Sequence, residues 1–353
     1  MRLDPADLPA VGRRWLGRSS RSVAAGMTGL AVALLAAGCG VAGHASHAPR
    51  AETPITVAAE PGVDDAPLYI AENDGLFAKA GLKVKIRSFG SAAGDLTAMH
   101  TGLANIGFGD YVDYFHWQDV HKDLIAVADG YDAAPGVVEV LSLPHSGIYT
   151  PQNLAGKIIG TAEPQGIATD KAVQADKGRV PYSIETVATQ SVLGNDGVNT
   201  ASVTWKAMPS QNLIGALQSH QVNAILVTEP YIYEAEERLG AVEVLDSCSG
   251  ATANLPLAGY FTSKTFASKD PGAVREFRSA LLAAQAKAVL AKPVDAVLAK
   301  FPGMDAQSAS LVTVGVYPTS LNAGSLQRVS QLMFNFGVLP HFLNVSSMVP
   351  SAR

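Results

Sequence analysis

The chain has 353 residues, 48% hydrophobic and 16% charged, with 33 Gly and 20 Pro; that balance excludes a disordered or fibrous chain and leaves length for two domains. A formal charge of −5, with no basic stretch interleaved with aromatics, excludes nucleic acid as a partner, because phosphate binding needs a positive footprint. Two cysteines build neither a disulfide scaffold nor a cysteine zinc site.

The first element is an address. Arg13, Arg14, Arg18 and Arg21 precede an apolar run over 23–37 that ends Leu35-Ala36-Ala37-Gly38-Cys39. A basic region, a short apolar core and small residues before a cut describe an export signal, and the run falls short of the roughly 20 residues of a membrane-spanning helix. Cys39 after Ala-Gly resembles a bacterial lipoprotein box, although Leu35 sits one position further out than usual. Residues 1–38 are therefore expected to be a signal peptide, Cys39 the lipidated new N-terminus, and 39–53 a flexible stalk. Loss of 1–38 leaves 21 Lys+Arg against 29 Asp+Glu, an acidic body held at the outer face of the membrane. Cys248 is then a lone thiol, expected to be buried and inert.

Strands and helices alternate from there. Residues 55–59 form a β-rich run closed by Glu60-Pro61-Gly62, and 68–77 has helical apolar spacing punctuated by Gly75 and Gly81. Strict alternation over 82–87 predicts a half-exposed strand. A small-residue turn, 89–95, leads into a helix over 96–101, and 105–109 is the next strand. Further strands are expected at 124–128, 137–143, 157–161, 203–205, 224–227, 242–245 and 259–262, then long helices from 271 into the 290s and over 323–336. This order predicts an α/β fold with a mainly parallel sheet covered by helices. The pattern resets near Lys157 and near Asn254-Leu255-Pro256. Two lobes are therefore expected, 54–141 with 251–350 and an inserted 142–250, joined by two connections that act as a hinge around a ligand cleft.

The segments Ile55-Thr56-Val57-Ala58, Ala66-Pro67-Leu68-Tyr69-Ile70-Ala71-Glu72-Asn73-Asp74-Gly75-Leu76-Phe77 and Gly81-Leu82-Lys83-Val84 resemble the opening of one family of ABC-transporter solute-binding proteins, which carries nitrate, sulfonates, taurine and the pyrimidine precursor of thiamine. Asn153-Leu154-Ala155-Gly156-Lys157-Ile158-Ile159-Gly160, Ala216-Leu217-Gln218-Ser219-His220-Gln221-Val222-Asn223-Ala224 and Glu229-Pro230-Tyr231 are similar to later pieces of the same family, with Asn223 for its Asp and His220 for its Gly. The resemblance implies a type II periplasmic-binding-protein fold, a small-molecule solute, an ABC permease as membrane partner, and no cofactor. A monomer is expected.

Turns after the strands supply the candidate site. Helix N-termini present free N–H groups, and Gly62, Gly90 and Gly166 let backbone approach a ligand. Ser91, Thr161 and Thr169 add hydroxyls; plain turn geometry is the alternative. Asp64 and Asp65 are ligand acceptors or first-turn caps. Glu229, at the end of an apolar strand, needs a partner in a ligand or across the lobes. Asp110, Tyr114 and Trp117 share a helical face, so rings near Tyr111 either stack on a flat heterocycle or fill the core. Tyr69 and Tyr231, inside the resembling segments, complete the expected contacts. Asp113, His116 and His121 lack a convincing third metal ligand, and no metal is expected.

No arginine falls in the expected cleft loops, which favours a neutral or weakly basic heterocycle of the thiamine-pyrimidine kind over a sulfonate, taurine or nitrate. An enzyme is the rival class. No HExxH, GxSxG, Walker loop or GxGxxG is present, and the cysteine-rich motif of the related pyrimidine synthases is missing.

Overall fold

The computed structural model describes residues 52–163, 180–301 and 304–350. Two five-stranded sheets lie within one compact unit, Pro49–Arg353. The first contains β1 (Thr53–Ala58), β2 (Leu82–Arg87), β3 (Ile106–Asp110), β4 (Leu124–Asp132) and β10 (Pro256–Ser263), in the order β2-β1-β3-β10-β4. The second contains β5 (Val138–Ser142), β6 (Ile158–Ala162), β7 (Thr204–Met208), β8 (Ala224–Thr228) and β9 (Val242–Asp246), in the order β7-β6-β8-β5-β9.

Each sheet is mixed, and the reason lies in the connections. Strands β1, β2 and β3 are parallel and joined through helices, as are β6, β7 and β8. The strand by which the chain enters a sheet from the other lobe runs the opposite way. Thus β5 is antiparallel to β8 and β9, and β10 is antiparallel to β3 and β4.

The crossings occupy 133–137 and 247–255. They are tied to each other, with the Ala133 amide donating to the Leu255 carbonyl at 2.8 Å. The first crossing precedes the boundary expected at 141/142, because the apolar strand Val138–Ser142 already pairs in the second sheet. Both faces of that sheet are buried. Ala224 and Leu226 of β8 face a core continuous with the first lobe, whereas Ile225 and Val227 pack on a separate cluster with Leu213, Ile214 and Ile232.

Helices differ from the sequence reading where backbone geometry intervenes. The run over 68–77 is two helices, Ala66–Asn73 and Leu76–Lys79, because Gly75 adopts φ 64° between them. The run from 271 also divides, into Pro271–Ala288 and Ala291–Leu298, around an extended Leu290. The helix Tyr111–His121 lies close on its sheet because glycines make room for it. A side chain at Gly107 would meet the Tyr114 hydroxyl at 2.5 Å, and one at Gly259 would collide with the Tyr111 ring.

The helix Ala323–Asn335 contacts both the Tyr111–His121 helix of the first lobe and the Ile184–Asn195 helix of the second. From it, the Arg328 guanidinium donates to three carbonyls of the second crossing: Ala251 and Ala253, each at 2.9 Å, and Asn254 at 3.3 Å.

Candidate functional site

The carboxyl ends of the parallel strands of both sheets converge on one cleft, the position where open α/β sheets bind ligands. Three cavities lie there, of about 220, 240 and 340 Å³. The first two share Asp110, Glu185 and Thr228, and the first and third share Asp64, so they are chambers of one cleft. A larger cavity, about 580 Å³, lies elsewhere on the first lobe beside Arg275, Arg278 and Val349, away from these strand ends.

Asp110 ends β3 and sits at the meeting of two helices. Its Oδ1 accepts the Val112 amide at 2.6 Å, capping the Tyr111–His121 helix. Its Oδ2 accepts the Ile184 amide at 2.9 Å, at the start of the Ile184–Asn195 helix in the other lobe. Glu229 makes a second bridge. Its Oε1 accepts the Thr313 amide at 2.8 Å, and its Oε2 accepts the Tyr233 amide at 3.1 Å.

Carboxylates dominate the lining. Glu60, Asp64, Asp95, Asp110, Asp113, Glu163, Glu185 and Glu229 border the three chambers, and no Lys, Arg or His does among the described residues. Burial, with the Glu185 charge adding to it, pushes the Asp64 carboxyl up to about 6. Asp110 is raised well above the carboxylate range by burial, and then by the charges of Glu185 and Asp113. Burial also raises Asp95 to about 6 and lifts Glu229.

Of the residues expected from sequence, Asp64, Ser91, Asp110, Thr161, Glu229 and Tyr231 line the cleft. Ser91 is also an N-cap, its Oγ accepting the Gly94 amide at 3.1 Å. Gly166, Thr169 and Cys39 lie outside the described residues.

Three expected contacts sit elsewhere. Asp65 is fully buried beneath the 62–65 turn, where its Oδ1 accepts the Gly62 amide at 3.0 Å. Tyr69 packs edge-on against Phe301, ring centroids 5.0 Å apart, outside the chambers. Tyr111 is core: its hydroxyl donates to Asp129 Oδ1 at 2.6 Å, and its neighbour on the helix, Tyr114, stacks on Phe261 at 4.1 Å. The aromatic helix thus spends its rings on packing, because apolar area buried against β10 outweighs exposure in a wet cleft.

Cys248 is buried, and burial pushes its thiol up to about 12. Among the described residues no group of three His, Cys, Asp or Glu is placed to hold a metal ion.

Sequence reading missed Glu185, Thr228, Tyr131 and Thr313. A signal for Glu185 was present, since Ser183-Ile184-Glu185-Thr186 is a capping pattern before apolar residues at helical spacing, and Ser183 and Thr186 cap each other reciprocally.

Two mixed sheets, two crossings and a cleft at the strand ends define a two-lobed protein of the type II periplasmic-binding-protein fold. Solved structures agree. The alkanesulfonate-binding protein SsuA from Xanthomonas axonopodis pv. citri, bound to MOPS, matches with TM-score 0.63 and 17% identity, over 86% of this chain and 100% of that one. The periplasmic aliphatic sulphonate binding protein SsuA from Escherichia coli matches with TM-score 0.67 and 16% identity, over 84% and 97%. The desulfurization enzyme DSZB matches with TM-score 0.64 and 16% identity, over 84% and 96%, so the same architecture also serves catalysis. Comparison with curated proteins gives no match. The sequence model of the NMT1-like family matches residues 48–300, and the chain belongs to that family.

Proposed function

We propose that this chain is the extracytoplasmic solute-binding component of an ABC importer, which captures a small organic solute between its lobes and hands it unaltered to a membrane permease. Cys39 carries the lipid that tethers it. The favoured solute is an amino-substituted heterocycle of the thiamine-pyrimidine kind. One observation carries this choice: the Asp110 carboxylate already caps the two helix N-termini that meet in the cleft. An anion would have to displace it or lie beside it, with Asp64 and Glu185 close by. Ring amino groups, by contrast, would donate to these carboxylates.

A sulfonate is the second reading, supported by the two sulfonate-binding neighbours and by the free amides at the start of the Ala92–His100 helix. Calorimetry with 4-amino-5-hydroxymethyl-2-methylpyrimidine and with methanesulfonate separates the two readings. Binding of the pyrimidine alone is the expected result, and binding of methanesulfonate alone reverses the order. Mass analysis of the recovered solute tests the absence of turnover.

A further inference from the structure

Resting on that reading, we propose that the solute is a cation, whose ammonium or amidinium group is held between Asp64 of the first lobe and Glu185 of the second. Both carboxylates border the same chamber of about 220 Å³. Asp110, the third acid there, is answered by two backbone N–H donors. Glu185 is half-buried and has no side-chain partner among the described residues. Asp64 is half-buried too, and its Oδ1 occupies the space that any side chain at position 62 would need, so Gly62 is what lets this carboxylate fold over the cleft.

A second observation points to a guest of this polarity. Thr161 lines the adjoining chamber, is only 2% exposed, and its hydroxyl makes no hydrogen bond among the described residues. A hydroxyl that lines the chamber can donate to or accept from a polar group of a guest. Tyr131, 5% exposed, brings a ring to the Asp64 chamber, and an aromatic face attracts a cation as well as packing on a heterocycle. A neutral guest would satisfy donors and acceptors but leave two carboxylates of one chamber desolvated as the lobes close. A single positive charge answers both, and because one acid comes from each lobe it also rewards closure.

The test uses three probes on the full protein: 4-amino-5-aminomethyl-2-methylpyrimidine (a cation at pH 7.5), its 5-hydroxymethyl counterpart (neutral) and methanesulfonate. The aminomethyl compound is expected to bind at least about tenfold tighter than the hydroxymethyl one. In Glu185→Gln that preference should vanish, and a cooperative thermal melt like that of the parent shows that the variant is folded. Equal affinities, or tighter binding of the hydroxymethyl compound, overturn the charge assignment and leave the solute-binding reading standing. Binding of methanesulfonate alone, or of none of the three, overturns both.

Discussion

Asp110 and Ile184 stand at the first turns of helices in different lobes, and one carboxylate serves both. Oδ1 accepts the Val112 amide at 2.6 Å and Oδ2 the Ile184 amide at 2.9 Å. The four leading N–H groups of a helix lack internal partners, so a shared cap links the stability of each helix to the contact between the lobes. Glu229 repeats the device from the other direction, reaching from β8 to the Thr313 amide.

Asp110→Asn tests that link. An amide side chain offers one acceptor oxygen, so it must give up either the Val112 or the Ile184 bond. The expected cost is about 1–2 kcal/mol in thermal or urea unfolding. Where the Ile184 bond is the one given up, solution scattering should also show a larger radius of gyration for the ligand-free variant, because that bond joins the two lobes. An unchanged radius together with unchanged stability would show that the shared cap is dispensable.

Tyr111→Phe separates packing from binding. The Tyr111 hydroxyl is buried against Asp129, and its removal leaves a raised, desolvated carboxyl with the Gly130 amide at 3.1 Å and the Asp132 side chain as its partners. Stability should fall by about 1–3 kcal/mol, while the affinity for any cleft solute stays within about twofold. A large loss of affinity with intact stability would return Tyr111 to the site.

Much of the architecture was readable because strand and helix periods differ so sharply. The alternation Leu82-Lys83-Val84-Lys85 does emerge as an edge strand with lysines outward, and Ala224–Thr228 as a strand buried on both faces. Direction was harder to read. The opposite run of β5 and β10 follows from where the chain crosses between lobes, which no local pattern records. The site was legible where a carboxylate ended a strand, as at Asp110 and Glu229. At Glu185 the capping pattern marks a helix start, but its place in the cleft depends on a helix of the other lobe meeting β3. Composition misled at Tyr69 and Tyr111, since a ring beside a cleft and a ring under it look alike in sequence; only packing distinguishes them.

Arg328 spans the second crossing, and its planar fork is suited to three carbonyls at once. Arg328→Lys keeps the charge but offers a single ammonium point. The variant should lose about 1–2 kcal/mol and exchange amide hydrogens faster over 251–255. Unaltered exchange in that segment would mean that the Ala133–Leu255 pairing alone fixes the hinge.

The buried acids set a pH dependence whose direction can be worked out. Asp64, Asp95 and Asp132 are each pushed up to about 6 by burial, and Glu139 to about 8, where burial is joined by the charges of Glu243, Glu236, Asp246 and Glu229. A carboxyl whose folded value lies above its unfolded one holds a proton that the unfolded chain releases. Its contribution is fully present below about pH 4, and is lost as pH rises through 6 for the three aspartates and through 8 for Glu139. The ligand-free protein should therefore melt higher at pH 5 than at pH 8, by on the order of 5 °C. Glu139→Gln should flatten the part of the curve above pH 7, because an amide needs no proton to remain neutral. Capture of a cationic solute should run the opposite way, weakening as pH falls through 6 and Asp64 loses its charge. Calorimetry and thermal melts across pH 4.5–8.5 measure both. Parallel slopes for stability and affinity would break the assignment of Asp64 to the ligand.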